Sequence, residues 1–270
     1  MTVLNWRTWK MDQLITSLEA LVGERLAQWP AQWEGYHWPG YTYEHTLRVR
    51  DLALVLAERE GAHANVVHLA ALLHDICKSA GRDHARVGAE EARRILSSHG
   101  VEEALLEPVC SAIAHHAGDN TPTSPMENQC LGDADLIDAN FGLVATWRFM
   151  TIRSGTDVPW PQTIAAMREW LPKKDALLDR LLTRAGREIA RQRSARMRVF
   201  CEELLRQTSV GPNYPGFGLL EMVDHIHSDR GRHLLAEQVC QLEALAAGGR
   251  ADAKVGVVCR SLRLEMAGLH

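Results

Sequence analysis

Six histidine and aspartate residues of the kind that binds divalent metal ions are spread between positions 45 and 135. They are His45, His74, Asp75, His84, His116 and Asp135. Imidazole nitrogen and carboxylate oxygen are ligands that first-row divalent metals accept. Two such ions held side by side can activate a water molecule between them. The leading hypothesis from these residues is therefore a hydrolytic metal centre.

The segment that carries His74 and Asp75 is apolar on almost all of its faces, which predicts a helix over residues 64–77 in the centre of the core. A histidine and an aspartate at the end of a buried helix are removed from bulk water. This is costly unless a cation or hydrogen bonds compensate. A metal ion compensates efficiently, and the two oxygens of Asp75 suit it to bridging two ions.

The other candidates lie on elements that the apolar pattern also predicts. Apolar residues recur at three- and four-residue spacing, and the alternation typical of strands is almost absent, so we predict an all-α fold. His45 lies one turn into a helix over 43–60, His84 opens a helix over 84–98, and His116 closes a helix over 101–116. The remaining predicted helices cover residues 10–28, 128–138, 140–152, 162–171, 174–207, 216–228, 230–247 and 252–267.

Clusters of glycine and proline divide the chain at several points, including residues 38–40 and 211–216. All six candidate ligands lie in the region that follows the first of these breaks. We therefore expect four regions: an N-terminal helical flank over 1–39, a metal-binding core over 40–150, helices completing the same domain over 151–210, and a C-terminal helical extension over 211–270 whose role has no readable motif.

Composition narrows the range of partners and compartments. Apolar residues make up 46% of the chain, charged residues 24%, and the formal net charge is -4, so nucleic acid is an unlikely partner. The N-terminal residues mix charge and indole too evenly for a secretory signal, and no apolar run reaches membrane-spanning length. The six cysteines are widely spaced and form no C-x-x-C pair. We expect a cytoplasmic protein with reduced thiols and no membrane contact.

From about residue 43 to residue 142 the sequence resembles the HD-domain superfamily of metal-dependent phosphohydrolases. An early histidine, a paired His-Asp motif and a closing aspartate occur in the superfamily's order. The resemblance is carried by Glu44-His45-Thr46-Leu47-Arg48-Val49, Ala71-Leu72-Leu73-His74-Asp75-Ile76-Cys77-Lys78 and Asp133-Ala134-Asp135-Leu136-Ile137-Asp138. Members with two metals add two histidines, and matching positions occur in His84-Ala85-Arg86-Val87-Gly88-Ala89 and Ala112-Ile113-Ala114-His115-His116. The resemblance implies the HD-domain helical core, flanked by N- and C-terminal helical extensions.

The resemblance also implies two divalent metal ions, drawn from iron, manganese, cobalt, nickel and zinc. One ion would be held by His45, His74, Asp75 and Asp135, and the second by Asp75, His84 and His116. Two neighbours remain as alternative ligands or supporting residues: His115 beside His116, and Asp133 beside Asp135. Cys77 stands where the family usually has glycine before the lysine, which leaves the ligand set intact.

The activity implied is hydrolysis of a phosphomonoester, a nucleotide or a dinucleoside polyphosphate by a hydroxide that bridges the two ions. Asp75 and Lys78 would be the catalytic residues. Lys78, Arg48 and Arg82 are candidates for holding the substrate phosphate. For Lys78 an equally good interpretation is a helix-terminal lysine that interacts with the helix dipole. The expected partner is thus a small phosphorylated substrate such as a nucleotide, and a second copy of the chain, in a homodimer, is a further candidate.

Two alternatives share the same residues. A four-histidine, two-aspartate site also serves HD-type di-iron oxygenases, although Lys78 and the short connection from Asp75 to His84 favour the phosphohydrolase. A non-enzymatic nucleotide-binding HD module is the third hypothesis. Two further features are interpreted as structural: the cluster Asp224–Asp229, and the arginines spaced along the helix predicted over 174–207.

Overall fold

The computed structural model describes residues 3–27, 40–210, 218–230, 232–250 and 253–269. These residues form α-helices joined by short turns and contain no strand, so the predicted all-α class is confirmed. The helices are α1 (Val3–Ala27), α2 (Tyr41–Glu60), α3 (Ala64–Leu73), α4 (His84–Ser98), α5 (Glu103–His115), α6 (Met126–Asn140), α7 (Leu143–Gly155), α8 (Trp160–Asp175), α9 (Arg184–Val210), α10 (Leu219–Asp229), α11 (Leu235–Leu245) and α12 (Ala253–Met266). The break predicted over 211–216, and residues 38 and 39 of the earlier one, lie outside the described residues. Within the described part of the chain, no helix is both long and apolar enough to cross a membrane.

The described part of the chain divides into two compact units, and the first contains residues 3–27 and 40–135. Helix α3 is its centre: it packs against α1, α2 and α5, while α4 packs against α5. Every residue from Val66 to Leu73 except His68 is buried. This agrees with the apolar pattern that predicts a central helix here.

The end of α3 differs from the prediction. The helix stops at Leu73 instead of residue 77, and a turn over His74–Cys77 and a 3₁₀ turn over Lys78–Asp83 follow. A continuing helix would pair the Asp75 N–H with the Ala71 carbonyl. That carbonyl instead accepts a hydrogen bond from His74 Nδ1, at 2.8 Å. Side-chain competition for a backbone acceptor therefore ends the helix early.

Close approach at Gly88 brings α4 against this turn. A Cβ atom on Gly88 would lie 3.3 Å from the carbonyl oxygen of His74 and 3.6 Å from Ile113. Glycine thus allows α4 to pack tightly against the end of α3 and against α5. The consequence is that His84, the first residue of α4, lies beside His74 and Asp75.

In its described part, the second unit contains residues 136 to 269, and α7 to α12 surround its core. Trp147 of α7 is buried there and donates a hydrogen bond to Gln238 of α11, at 2.9 Å. The single helix predicted over 174–207 is wrong. Helix α8 continues to Asp175, and α9 begins only at Arg184, after Thr183, whose hydroxyl accepts a hydrogen bond from the Gly186 N–H at 2.9 Å. A threonine cap thus restarts the helix.

The two features interpreted as structural have structural partners in this unit. His225 bonds to Gln241, and His227 bonds to the carbonyl of Val158. On α9, Arg187 donates to the carbonyls of Leu181 and Leu182, and Arg198 pairs with Asp175. Most of these contacts link neighbouring elements of the second unit.

Candidate metal centre

The six candidate ligands lie on five different segments of the first unit and meet around Asp75. His45 lies in the first turns of α2, His74 and Asp75 follow α3, His84 begins α4, His116 follows α5, and Asp135 is on α6. Asp75 and His74 are fully buried, and His45 and His116 are nearly so. The structure therefore brings together all six residues that the sequence singled out.

Four imidazole nitrogens surround the carboxylate of Asp75, two near each oxygen. His45 Nε2 lies 3.8 Å and His74 Nε2 3.5 Å from Asp75 Oδ2. His84 Nε2 lies 3.6 Å and His116 Nε2 3.7 Å from Asp75 Oδ1. With this division, each oxygen of Asp75 could share a cation with its own pair of imidazoles.

The backbone sets the tautomer of three of these histidines. Nδ1 of His74, His84 and His116 donates to the carbonyl three residues earlier in the chain, at 2.8, 2.7 and 2.7 Å respectively. A neutral imidazole that donates from Nδ1 presents a lone pair at Nε2. Metal-binding histidines commonly have this arrangement, in which the second nitrogen is fixed by an outer hydrogen bond.

The Nε2 lone pairs of these histidines point toward other hydrogen-bond acceptors. A cation bound between such acceptors would stabilise them. His84 Nε2 and His116 Nε2 are only 3.2 Å apart. His74 Nε2 has no hydrogen-bond partner, although it is buried. Ligand atoms around one tetrahedral ion, at about 2.0–2.1 Å from it, lie roughly 3.3 Å from one another. Buried acceptors that approach so closely are stabilised by a proton or a metal ion between them.

Two overlapping groups of atoms are compact enough to hold an ion: His45 with His74 and Asp135, and His74 with Asp75 and His116. His45 Nε2 also lies 3.0 Å from Asp135 Oδ1, which places Asp135 on the Oδ2 side of Asp75. The first group matches three of the four ligands predicted for one ion. His84 lies next to the second group through its contact with His116.

Lys78 provides positive charge beside the same carboxylate. Its Nζ lies 3.0 Å from Asp75 Oδ1, to which it donates, and 2.9 Å from Oδ2. Burial opposes ionisation of both groups. The charge of Lys78 nevertheless holds the pKa of Asp75 well below its usual range, and the charge of Asp75 raises the pKa of Lys78. Asp75 is thus an anion and Lys78 a cation at neutral pH.

Burial also keeps two of the histidines neutral. It lowers the pKa of His74 to about 4, and together with the charge of Lys78 it lowers the pKa of His84. For His116, burial is outweighed by the carboxylates of Asp75 and Asp135, so its pKa is raised. Neutral imidazole is the form that binds a metal ion.

The other candidate residues near Asp75 differ in how exposed they are. His115 is exposed and bonds to the Ser111 carbonyl, and Asp133 is buried; neither belongs to the two compact groups found among the described residues. Burial raises the pKa of the Cys77 thiol, which favours the inert form. Arg82 is exposed in the turn after Lys78.

Sequence reasoning missed Tyr41 as a neighbour of this centre. Its buried ring stacks on His45, with the ring centroids 6.0 Å apart. The guanidinium of Arg48, also buried, lies 5.8 Å from the centre of the same ring. The available signal was an aromatic residue one helical turn before His45. Tyr41 therefore forms part of the wall beside the predicted ligand His45 and the phosphate candidate Arg48.

The protein-family model of the HD domain matches residues 42–140 of this chain. Residues 42–140 form an HD domain. The matched region includes all six residues around Asp75. Solved structures agree with the fold: an HD-superfamily hydrolase from Bacillus thuringiensis superposes with a TM-score of 0.57 at 22% identity, covering 74% of this chain and 98% of that one. YpgQ of Bacillus subtilis in complex with ADP gives 0.55 at 24% identity, covering 73% and 96%.

Sequence relatives match part of this chain. A symmetrical bis(5'-nucleosyl)-tetraphosphatase of Staphylococcus aureus is 40% identical over 80 residues, which are 29% of this chain and 41% of that protein. A bifunctional uridylyltransferase/uridylyl-removing enzyme of Cupriavidus pinatubonensis is 34% identical over 86 residues, which are 32% of this chain and 10% of that enzyme. The chain thus spans about a tenth of the uridylyltransferase relative and less than half of the tetraphosphatase.

Proposed function

We propose that the protein is a metal-dependent phosphohydrolase that acts on a nucleotide or another small phosphorylated substrate. The observation that carries this proposal is the convergence of four imidazole nitrogens on the two oxygens of Asp75. His45, His74 and Asp135 would hold one divalent ion on the Oδ2 side, and His84 and His116 a second on the Oδ1 side. Bound ions of this kind supply Lewis acidity and lower the pKa of water.

The similar proteins support the choice of a phosphorylated substrate. One relative of the HD domain is a dinucleoside tetraphosphatase, and one structure of similar fold contains ADP. Three cationic side chains of the first unit suit a phosphate group: Lys78, Arg48 and Arg82. Lys78 would orient the phosphate as a point charge, since its ammonium already lies at the edge of the centre. Arg48, buried behind Tyr41, would fix a more distant phosphate or the rest of the nucleotide.

The remaining residues would orient the ligands and exclude water. The carbonyls of Ala71, Gly81 and Ile113 hold the rings of His74, His84 and His116 in the geometry that points Nε2 toward Asp75. The buried position of His74 and Asp75 keeps bulk solvent away from their side of the centre. In such surroundings charged groups interact more strongly than they do in water.

Elemental analysis and phosphate release test the proposal together. We expect purified protein to contain a first-row divalent metal and to release phosphate from at least one member of a panel of nucleotides and dinucleoside polyphosphates when manganese is added. Replacing Asp75 by Asn keeps the size of the side chain and removes its charge. We expect this change to lower metal content and to reduce activity at least a thousandfold, about 4 kcal/mol of transition-state stabilisation. Full activity in the Asp75→Asn protein would rule the mechanism out.

Adjacent histidines provide a matched control for the ligand assignment. His116→Ala is expected to remove metal on the Oδ1 side, whereas His115→Ala removes an exposed ring that bonds to its own helix and is expected to leave metal content unchanged. The reverse result would move the ligand to His115. Oxygen consumption by iron-loaded protein, without phosphate release, would favour the oxygenase instead.

A further inference from the structure

A cavity of about 1290 Å³ lies in the first unit, apart from the metal centre. It is lined by α1 from Lys10 to Ser17, by the beginning of α3, by the beginning of α5 and by Glu127 of α6. None of the six candidate ligands is among its lining residues. The proposed hydrolysis therefore leaves this cavity without a role.

The cavity and the metal centre lie at opposite ends of the same helices. Helices α3, α5 and α6 begin at the cavity. His74 and His116 lie just beyond the other ends of α3 and α5, and Asp135 lies further along α6 than Glu127. At a rise of 1.5 Å per residue, the distance along the helix is about 9 Å from His68 to His74, and about 12 Å from Glu127 to Asp135. Because the same helices carry residues of both sites, a ligand in the cavity can influence the metal centre through them.

The lining combines apolar and hydrogen-bonding groups. Leu14, Val66 and Leu105 contribute apolar surface, and three imidazoles, those of His63, His68 and His99, contribute polar surface. His68 Nε2 is buried and has no hydrogen-bond partner. An atom without accessible surface is out of reach of a ligand in the cavity, so the ring of His68 contributes contact area there and not a hydrogen bond from Nε2. Burial, with a contribution from Arg50, lowers the pKa of His68, so the ring is neutral at neutral pH.

The charged groups of the lining select against phosphates. Asp12, Glu102 and Glu127 carry three negative charges, and Lys10 carries the one full positive charge of the lining residues. Glu127 also accepts a hydrogen bond from the His63 N–H, at 2.9 Å. Carboxylates of this kind bind hydroxyl and amino groups and repel phosphate. The cavity therefore suits an uncharged molecule with a flat apolar part and several hydrogen-bonding groups.

We propose that this cavity binds an uncharged nucleoside as an effector. The base would contact the apolar residues, and the sugar hydroxyls would bond to the carboxylates. The choice of a nucleoside among such molecules rests on the proposed function, because hydrolysis of a nucleoside monophosphate releases one. Binding itself needs neither metal nor catalysis, so it is measured on the protein after metal removal.

The test uses calorimetric titration with adenosine, guanosine, cytidine and uridine. We expect at least one nucleoside to bind with a submillimolar Kd, and its 5'-monophosphate to bind at least tenfold more weakly. Ala104→Trp places a large ring at an exposed position of the lining and is expected to weaken nucleoside binding at least tenfold. Glu58→Trp, an equally exposed change on α2 outside the cavity, is the matched control and is expected to leave the Kd unchanged.

Several results would overturn the proposal. They are no binding by any of the four nucleosides, an unchanged Kd in Ala104→Trp, and tighter binding of the monophosphate than of the nucleoside. Loss of nucleoside binding in Asp75→Asn would also overturn it, because it would place the nucleoside in the metal centre. Failure of the phosphohydrolase proposal has a different signature: phosphate release is absent while nucleoside binding and its sensitivity to Ala104→Trp remain.

Discussion

Lys78 is expected to compete with metal ions for the carboxylate of Asp75. Its ammonium lies 3.0 and 2.9 Å from the two oxygens, at the positions that would bind cations. Two unit charges 3 Å apart attract by about 5.5 kcal/mol at an effective dielectric constant of about 20. Metal binding must weaken this contact, while the side chain of Lys78, 19% exposed, can turn toward water and recover part of the loss.

Replacing Lys78 by Met therefore has two opposite effects. Without metal, Asp75 becomes a buried charge without its lysine partner, and we expect the free energy of unfolding to fall by about 3 kcal/mol. With metal, the ion no longer displaces an ammonium, and we expect its Kd to fall by about 10- to 100-fold. A hundredfold lower Kd adds about 2.7 kcal/mol of stabilisation at a saturating metal concentration, which almost offsets the loss.

Calorimetric titration with manganese and urea unfolding with and without manganese measure both effects. Arg86→Met is the matched control, because Arg86 belongs to the same region but its ion pairs with Asp83 and Glu90 are exposed. We expect Arg86→Met to change stability by less than about 0.5 kcal/mol and to leave manganese affinity unchanged. Equal or weaker manganese binding in Lys78→Met would refute the competition and would make Lys78 a partner of the metal-bound centre.

Two further predictions concern the second unit. Gly142→Ala is expected to lower the free energy of unfolding by about 2 kcal/mol or more, because Gly142 has a φ of +99° and its new Cβ would contact the Glu265 carboxylate. Gly155 has open space around it, so Gly155→Ala should change the free energy of unfolding by less than about 1 kcal/mol. Urea unfolding measures both values, and equal effects would contradict the steric argument. Burial raises the pKa of Glu265 despite Arg193, so the folded state keeps this proton to higher pH than the unfolded chain does, and the stability of the wild type relative to Glu265→Gln should decrease as pH rises from about 4 through that pKa. Parallel stability curves for the two proteins from pH 4 to 8 would show that Glu265 does not titrate differently on folding.

The helices that sequence reasoning placed well are those with clear ends. The helix predicted over 84–98 is found at those residues, and the one predicted over 43–60 begins two residues earlier. Gly61, in the left-handed conformation, ends α2, and its N–H bonds to the Ala57 carbonyl. Local residue chemistry determines such ends, so sequence alone can indicate them.

The errors occurred where a side chain competed with the backbone. The α3 prediction ran past Leu73 because a periodic apolar pattern does not reveal that the ring of His74 occupies the Ala71 carbonyl. The long helix predicted over 174–207 overlooked Thr183, a cap residue inside a pattern that remained helical on both sides. In both cases one hydrogen bond outweighed the average helix propensity of the segment.

The candidate centre could be predicted as a set of residues but not as a geometry. Residue type, spacing and family resemblance indicated the six residues, and their roles as ligands remain a prediction. The division of the histidines between the two oxygens of Asp75, and the contact of both oxygens with Lys78, depend on how α2, α3, α4 and α5 pack. Packing of distant segments has no local sequence signal. Tyr41, one turn before His45 on the same helix, did have one and was overlooked.

The location of two histidines just beyond helix ends has a physical reason that connects fold and proposed function. The last carbonyls of a helix have no backbone partner within it. His74 follows α3 and His116 follows α5, and each uses Nδ1 to satisfy a carbonyl of the last turn, those of Ala71 and Ile113. One side chain thereby caps the helix and leaves the Nε2 lone pair directed toward Asp75. A histidine in the middle of a helix would find those carbonyls already bonded, so its ring would need another partner to fix the tautomer. Helix ends are therefore where a helical protein can orient imidazole ligands with its own backbone.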